Sequence, residues 1–187
     1  MKRTFIIAAF ALMASVSALV SPASAKSAQN KEADRIETRD KLRRLLEVAG
    51  QEKGINIPFR QSDKQPFNFI GVKRDGLTNA DLFEIVISVS DQQTIHFRVY
   101  PHYKDGYINV DKVKNSSGLM RLLLNFSDRN FLYWGADDSG DIFAGYTFTL
   151  ESGFPAEAIK VVLYSIQPLD QFVGQMRPFV DGTSAPR

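Results

Sequence analysis

The strongest constraint on how this chain folds lies between Ile142 and Met176, where two different apolar periods follow one another. Ile142, Ala144, Tyr146, Phe148 and Leu150 alternate with Phe143, Gly145, Thr147 and Thr149. That is the period of a strand with one face toward a core. From Pro155 the period lengthens, and Ile159, Val162, Leu163, Ile166, Leu169, Phe172, Val173 and Met176 recur at spacings of three and four. They make a single apolar stripe on a helix. Pro155 suits the first turn, where its missing N–H is not needed. Pro168 is expected to kink the helix, because it removes a bond to the Tyr164 carbonyl and crowds it. The stripe most simply covers the apolar face of the strand.

The residues just before extend this unit back to Gly118. Phe131-Leu132-Tyr133-Trp134 is a second β-type run, separated from Ile142 by Asp137-Asp138-Ser139-Gly140-Asp141. That cluster has turn chemistry, with Gly140 free to take a positive φ, so the two runs predict a hairpin. Leu119 to Phe126 reads as a short apolar helix, and a serine of Ser116-Ser117-Gly118 is the expected cap.

The chain opens differently. Lys2 and Arg3 precede a run of apolar and small residues from Phe5 to Val20, and Ala23-Ser24-Ala25 has the small-x-small form of a signal peptidase site. Residues 1–25 are therefore expected to be a signal peptide, cleaved before Lys26. The expected compartment is the bacterial periplasm or, by the same signal, the medium, with no stable membrane insertion after cleavage. The chain has no cysteine, so it forms no disulfides and has no site for lipid attachment through that residue. Of the 23 Lys and Arg, Lys2 and Arg3 fall within residues 1–25, with none of the 21 Asp and Glu. The remainder is formally neutral, which speaks against nucleic acid as a partner.

Residues 26–32 are polar and aperiodic and read as a flexible leader to a single domain spanning 33–180, with 181–187 as a flexible tail. Ile36, Leu42, Leu45, Leu46 and Val48-Ala49 predict an amphipathic first helix stopped by Gly54. The basic segment Arg39 to Arg44 reads as its solvated face. Three strands are expected next: Phe67 to Val72, Phe83 to Val89 and Ile95 to Tyr100. Ser90-Asp91-Gln92-Gln93 joins the last two as a hairpin. A tyrosine-rich link, Tyr100 to Val110, leads on to Ser116. The expected order is α-β-β-β-α-β-β-α, an α+β domain with an antiparallel sheet.

Several of these residues carry a family resemblance. The Leu-rich helix ending near Asn125, Asn130-Phe131-Leu132, the acidic turn Asp137 to Asp141, the strand to Leu150 and the helix Glu157 to Phe172 together resemble YbjN-type proteins. These are described as bacterial sensory transduction regulators. The resemblance implies a type III secretion chaperone-like fold, and the family has no catalytic motif to carry over.

No reaction is spelled out by the residues themselves. His96 and His102 lie six residues apart, with no cysteine and no repeated carboxylate spacing, so no metal site is expected. The Asp137–Asp141 cluster lacks the alternate acids and the later glutamate of a calcium loop. No G-x-S-x-G elbow and no glycine-rich phosphate loop occurs. No cofactor and no catalytic residue is assigned, and the chain is expected not to be an enzyme. Tyr100, Tyr103, Tyr107, Tyr133 and Trp134 are the candidate partner-binding residues, because amphipathic rings suit interfaces. The expected function is exported, non-catalytic binding of a protein or peptide, chaperone-like or regulatory, with a homodimer as one arrangement. The alternatives are an envelope hydrolase built from dispersed residues, marked by a deep pocket with a carboxylate or histidine beside a serine, and a small-molecule or lipid carrier, marked by a closed apolar cavity.

Overall fold

The computed structural model describes residues 22–183, with side chains from residue 30 onward. The basic start and apolar run of the expected signal peptide, and most of the expected tail, lie outside the described residues.

The described chain forms helix α1 (Pro22–Ala49), strands β1 (Phe59–Gln61), β2 (Asn68–Lys73), β3 (Leu82–Val89) and β4 (Thr94–His102), and helix α2 (Ser116–Arg129). Strands β5 (Tyr133–Ala136) and β6 (Ile142–Thr149) and helices α3 (Ala156–Ser165) and α4 (Leu169–Asp181) complete it. The strands form one six-stranded sheet in the order β1-β2-β3-β4-β6-β5, antiparallel at every pairing. The α+β class with an antiparallel sheet holds. Helix α2 carries the chain past β6 to the sheet edge, and β6 then returns beside β4. No described helix is long and apolar enough to cross a membrane.

The order of elements differs from the expected one at two points. Strand β1 was not foreseen, because three residues are too few to show a period; the Phe59 ring covers Gly71 on the neighbouring strand. The closing helix is broken, not kinked. Pro168 stands at the N-cap of α4, and α3 has already ended at Ser165. The cause lies in Asp170, in the first turn of α4. Its carboxylate accepts bonds from the Thr78, Asn79 and Ala80 backbone N–H groups at 2.8–2.9 Å and from the Thr78 hydroxyl at 2.8 Å. Burial alone raises the pKa of Asp170, but the bonds from Ala80, Thr78 and Asn79 outweigh it and hold the group below the usual carboxylate value. Docking α4 on this loop sets a direction that α3 does not share.

Helix α1 also runs further back than expected, through residues 26–32. Ala, Lys, Gln and Glu favour helix intrinsically. Asn30 to Asp34 are exposed, and apolar periodicity carries no signal for a helical stretch that packs on nothing. Leu42, Leu46 and Ala49 are the residues through which α1 joins the core. Its stop is Gly50 and not Gly54, since a side chain at Gly50 would strike the Ile57 and Leu46 carbonyls. The cap of α2 is Asn115, whose Oδ1 accepts from the Gly118 N–H at 2.9 Å, in place of the expected serine.

All four helices lie on one face of the sheet. Leu42, Leu119, Ile159, Val162 and Val173 share one core cluster with Phe83, Ile85, Ile87, Ile95, Phe97 and Phe148. Along β3 the alternation is complete: Phe83, Ile85, Ile87 and Val89 are buried, while Leu82, Glu84, Val86 and Ser88 are only half-buried. Among the described residues no helix covers this second face. An antiparallel sheet permits that arrangement.

Candidate functional site: the uncovered face of the sheet

The uncovered face has an aromatic end, and its residues come from neighbouring strands by register. Glu84 stands opposite Tyr100, Arg98 opposite Gly145, and Gly145 opposite Tyr133. Directly opposed residues point to the same side of a sheet, so these five positions share the face with Phe143. Phe143 is its hub. Its ring lies 5.7 Å from that of Tyr100 and 6.0 Å from that of Tyr133, and the Arg98 guanidinium sits 4.7 Å above it. Tyr107, brought back by a bridge to His102, packs edge-on to Tyr100 at 5.8 Å.

The cluster has two levels. Phe143 and Tyr100 form the floor, at 5% and 8% exposed, while Tyr107 and Tyr133 stand above it at 40% and 42%. Gly145 makes the arrangement possible. A Cβ there would lie 2.6 Å from the Tyr133 ring, so only glycine lets that ring lie across the strand. The result is an amphipathic patch with fixed rings, two phenols at its surface and one guanidinium held against it by cation–π contact.

Glu84 and His102 border the patch. Burial, and then the Glu84 carboxylate, push the Tyr107 phenol up to about 12. The His102 ring lies 4.1 Å from that of Tyr107, and its Nε2 is buried without a partner among the described residues. Burial lowers the pKa of His102, against the opposing pull of Glu84 and Asp81. His96, further along the same face, is half-buried, with Nε2 2.8 Å from Thr94 Oγ1 and Nδ1 3.0 Å from Thr147 Oγ1.

Of the five tyrosine and tryptophan candidates, the structure brings together Tyr100, Tyr107 and Tyr133. Tyr103 lies apart. Its hydroxyl donates to Asp181 at 2.8 Å and its ring underlies the Arg177 guanidinium, so it ties the link to the end of α4. Trp134 points the other way, into the helical layer, where it meets Phe126 and Phe172. Sequence reasoning missed Phe143, Arg98 and Glu84. A signal existed for Phe143: it is the one large apolar residue on a strand face otherwise made of Gly145, Thr147 and Thr149.

The strand edges give little purchase. Strand β1 has three residues and β5 four, and the Trp134 N–H of β5 is bonded to Ser127 Oγ on α2 at 2.8 Å. Short, capped edges discourage strand addition. A hollow of about 470 Å³ lies where Gly54, Gly76 and Thr78 face Tyr164, Gln167 and Asp170. The Asp170 oxygens there are already occupied by the loop. The acidic turn is likewise self-satisfied, with Asp137 Oδ1 accepting from the Ser139 and Asp141 N–H groups at 3.0 Å.

What the fold and site define is an α+β domain with one helical layer and one open, partly aromatic sheet face. Comparison with family models, with curated proteins and with solved structures gives no match.

Proposed function

We propose that the protein is an exported, non-catalytic binding module of the bacterial envelope, which holds a protein or peptide partner on the open face of its sheet. The observation that carries this reading is the two-level aromatic patch, with Tyr107 and Tyr133 exposed over a floor of Tyr100 and Phe143. Rigid aromatic rings beside an arginine are the side chains that dominate binding at protein interfaces. The position of the patch supports binding over chemistry. It is a surface and not a deep pocket, and of its charged groups Arg98 is engaged over the Phe143 ring while Glu84 borders the patch.

Export rests on Lys2, Arg3, the apolar run and Ala23-Ser24-Ala25. Membership of the YbjN-type proteins, with their chaperone-like fold and regulatory role, is part of the same proposal. It is supported by the run of residues from Asn125 to Phe172.

Affinity capture from an envelope extract tests the reading, using the wild type and a Tyr107→Ala, Tyr133→Ala double variant of unchanged Tm. The double variant should lose a specific partner that the wild type retains, with each ring contributing on the order of 2 kcal/mol if it is a hot spot. Equal recovery by both would reject the patch as the contact surface.

A further inference from the structure

Tyr107 reaches the aromatic patch on a short hairpin that begins at His102. The two residues pair as an isolated bridge, and their rings lie 4.1 Å apart. The turn closes with the Tyr103 N–H on the Gly106 carbonyl at 2.8 Å. Its central residues, Lys104 and Asp105, have φ of 56° and 63° although neither is glycine. That conformation is unfavourable for a residue with a Cβ and persists only with support from its surroundings. Two aspartates supply the support. Asp181 accepts from Lys104 Nζ at 2.6 Å, and Asp81 accepts from the Asp105 N–H at 2.9 Å. The hairpin is held closed from outside.

His102 is the weak point at its base. Its Nε2 is sealed from solvent and has no partner among the described residues. A neutral imidazole tolerates this by carrying its proton on Nδ1, which leaves only a lone pair at Nε2. The imidazolium cannot, because both of its nitrogens are donors, and a buried donor without an acceptor is costly. The charged groups that face the ring are Glu84 of β3, Asp81 just before it, Arg74 after β2 and Asp141 before β6. The three carboxylates favour the cation and Arg74 opposes it. Among the described residues none of those carboxylates comes within salt-bridge distance of His102. On the hairpin itself the ring meets Tyr107, whose phenol, pushed up to about 12, stays neutral in acid. Burial outweighs the carboxylates and holds His102 below its ordinary value of 6.5. We propose that protonation of His102 opens the hairpin from His102 to Tyr107 and draws Tyr107 off the patch, so that the open face releases its partner in acid. The closed hairpin keeps its full stability above 6.5 and loses it as pH falls toward the lower folded value. Release of a partner rests on the reading of the patch as a binding surface; the opening of the hairpin does not.

Hydrogen exchange at the Tyr103 and Ile108 amides, corrected for its intrinsic pH dependence, reads the opening on the protein alone. Both amides bond within the hairpin or across its base, to the Gly106 and Pro101 carbonyls. With one proton taken up on opening, their protection should fall by up to about tenfold per pH unit between about pH 6.5 and about pH 5. His102→Phe keeps a ring against Tyr107 and takes up no proton, so its protection should not change over that range. His96→Asn, which removes the other histidine of the chain, should leave the wild-type fall in place. If His102→Phe does not fold, His102→Gln takes its place. Constant protection in the wild type, or the same fall in the His102 variant, would overturn the proposal. Capture from an envelope extract reads the consequence, as the ratio of partner retained at about pH 7.5 to that at about pH 5. The ratio should be severalfold for the wild type and near one for the His102 variant. Loosened amides with unchanged wild-type retention would overturn control of the patch by His102. Equal recovery by the wild type and the Tyr107→Ala, Tyr133→Ala variant at about pH 7.5 would reject the patch as the contact surface instead, with the amides still deciding whether the hairpin opens.

Discussion

Tyr133 lies across Gly145, its directly opposed neighbour, and the ring comes so close that a Cβ at position 145 would fall 2.6 Å from it. This pair fixes the outer level of the aromatic patch. A glycine inside a strand weakens it, and a large aromatic opposite recovers part of that loss by covering the exposed backbone. Gly145→Val should displace the Tyr133 ring and lower partner retention, while Gly135→Ala, whose Cβ would meet only ordinary contacts at 3.4 Å or more, should leave it unchanged. The measurement is retention in the capture experiment at matched Tm.

The core assignment is tested on β6. Phe148 is 6% exposed and packs edge-on to Phe97 at 5.6 Å, whereas Thr147 faces solvent. Phe148→Ala should cost about 3–5 kcal/mol in urea unfolding. Thr147→Ala should cost about 0.5–1 kcal/mol, since it removes one bond to His96 on a solvated surface.

Asp170 predicts a pH dependence. Its folded pKa is depressed, so its contribution to stability is complete above the ordinary value of 3.8 and is lost as pH falls through the lower folded value. Asp170→Ala leaves the Thr78, Asn79 and Ala80 donors without their acceptor and should cost about 3–5 kcal/mol at pH 7. Asp170→Asn should be milder and should flatten the acid limb of a Tm-versus-pH profile. A profile identical to wild type below pH 3.8 would contradict the assignment.

Tyr107 gives the opposite sign. Its phenol is raised from 10 to about 12, so the neutral ring is favoured in the folded state. That contribution is whole below pH 10 and is lost as pH rises through about 12. Ultraviolet titration of wild type against Tyr107→Phe should show the missing phenol among the last to ionise. Glu84→Gln should move the Tyr107 transition toward 10, because it removes the facing negative charge.

Much of this fold was legible because burial on one face imposes a period. The alternation in Phe83–Val89, Ile95–Val99 and Ile142–Phe148 marks the covered side of three central strands. The stripe from Ile159 to Met176 marks the helices that cover them. What periodicity could not carry was set by single contacts distant in sequence. Asp170 reaching Thr78–Ala80 turns a kink at Pro168 into a break, and Phe59 over Gly71 forms β1. The patch was legible only in part. Tyrosine-rich composition between Tyr100 and Tyr107 pointed to it, but composition does not say which way a ring faces. Tyr103 turned to Asp181, and Trp134 joined the helical layer. Phe143 entered through register, which only pairing with β4 and β5 reveals.

The central claim is that the open sheet face, and not the helical layer, holds the partner. The most direct measurement places a photo-crosslinking amino acid at Tyr133 or at Tyr107, and as a control at Val161, which is 59% exposed on α3. After irradiation of intact cells, positions 133 and 107 should give the same discrete adduct and position 161 none. An adduct at 161 with none at 133 or 107 would contradict the account.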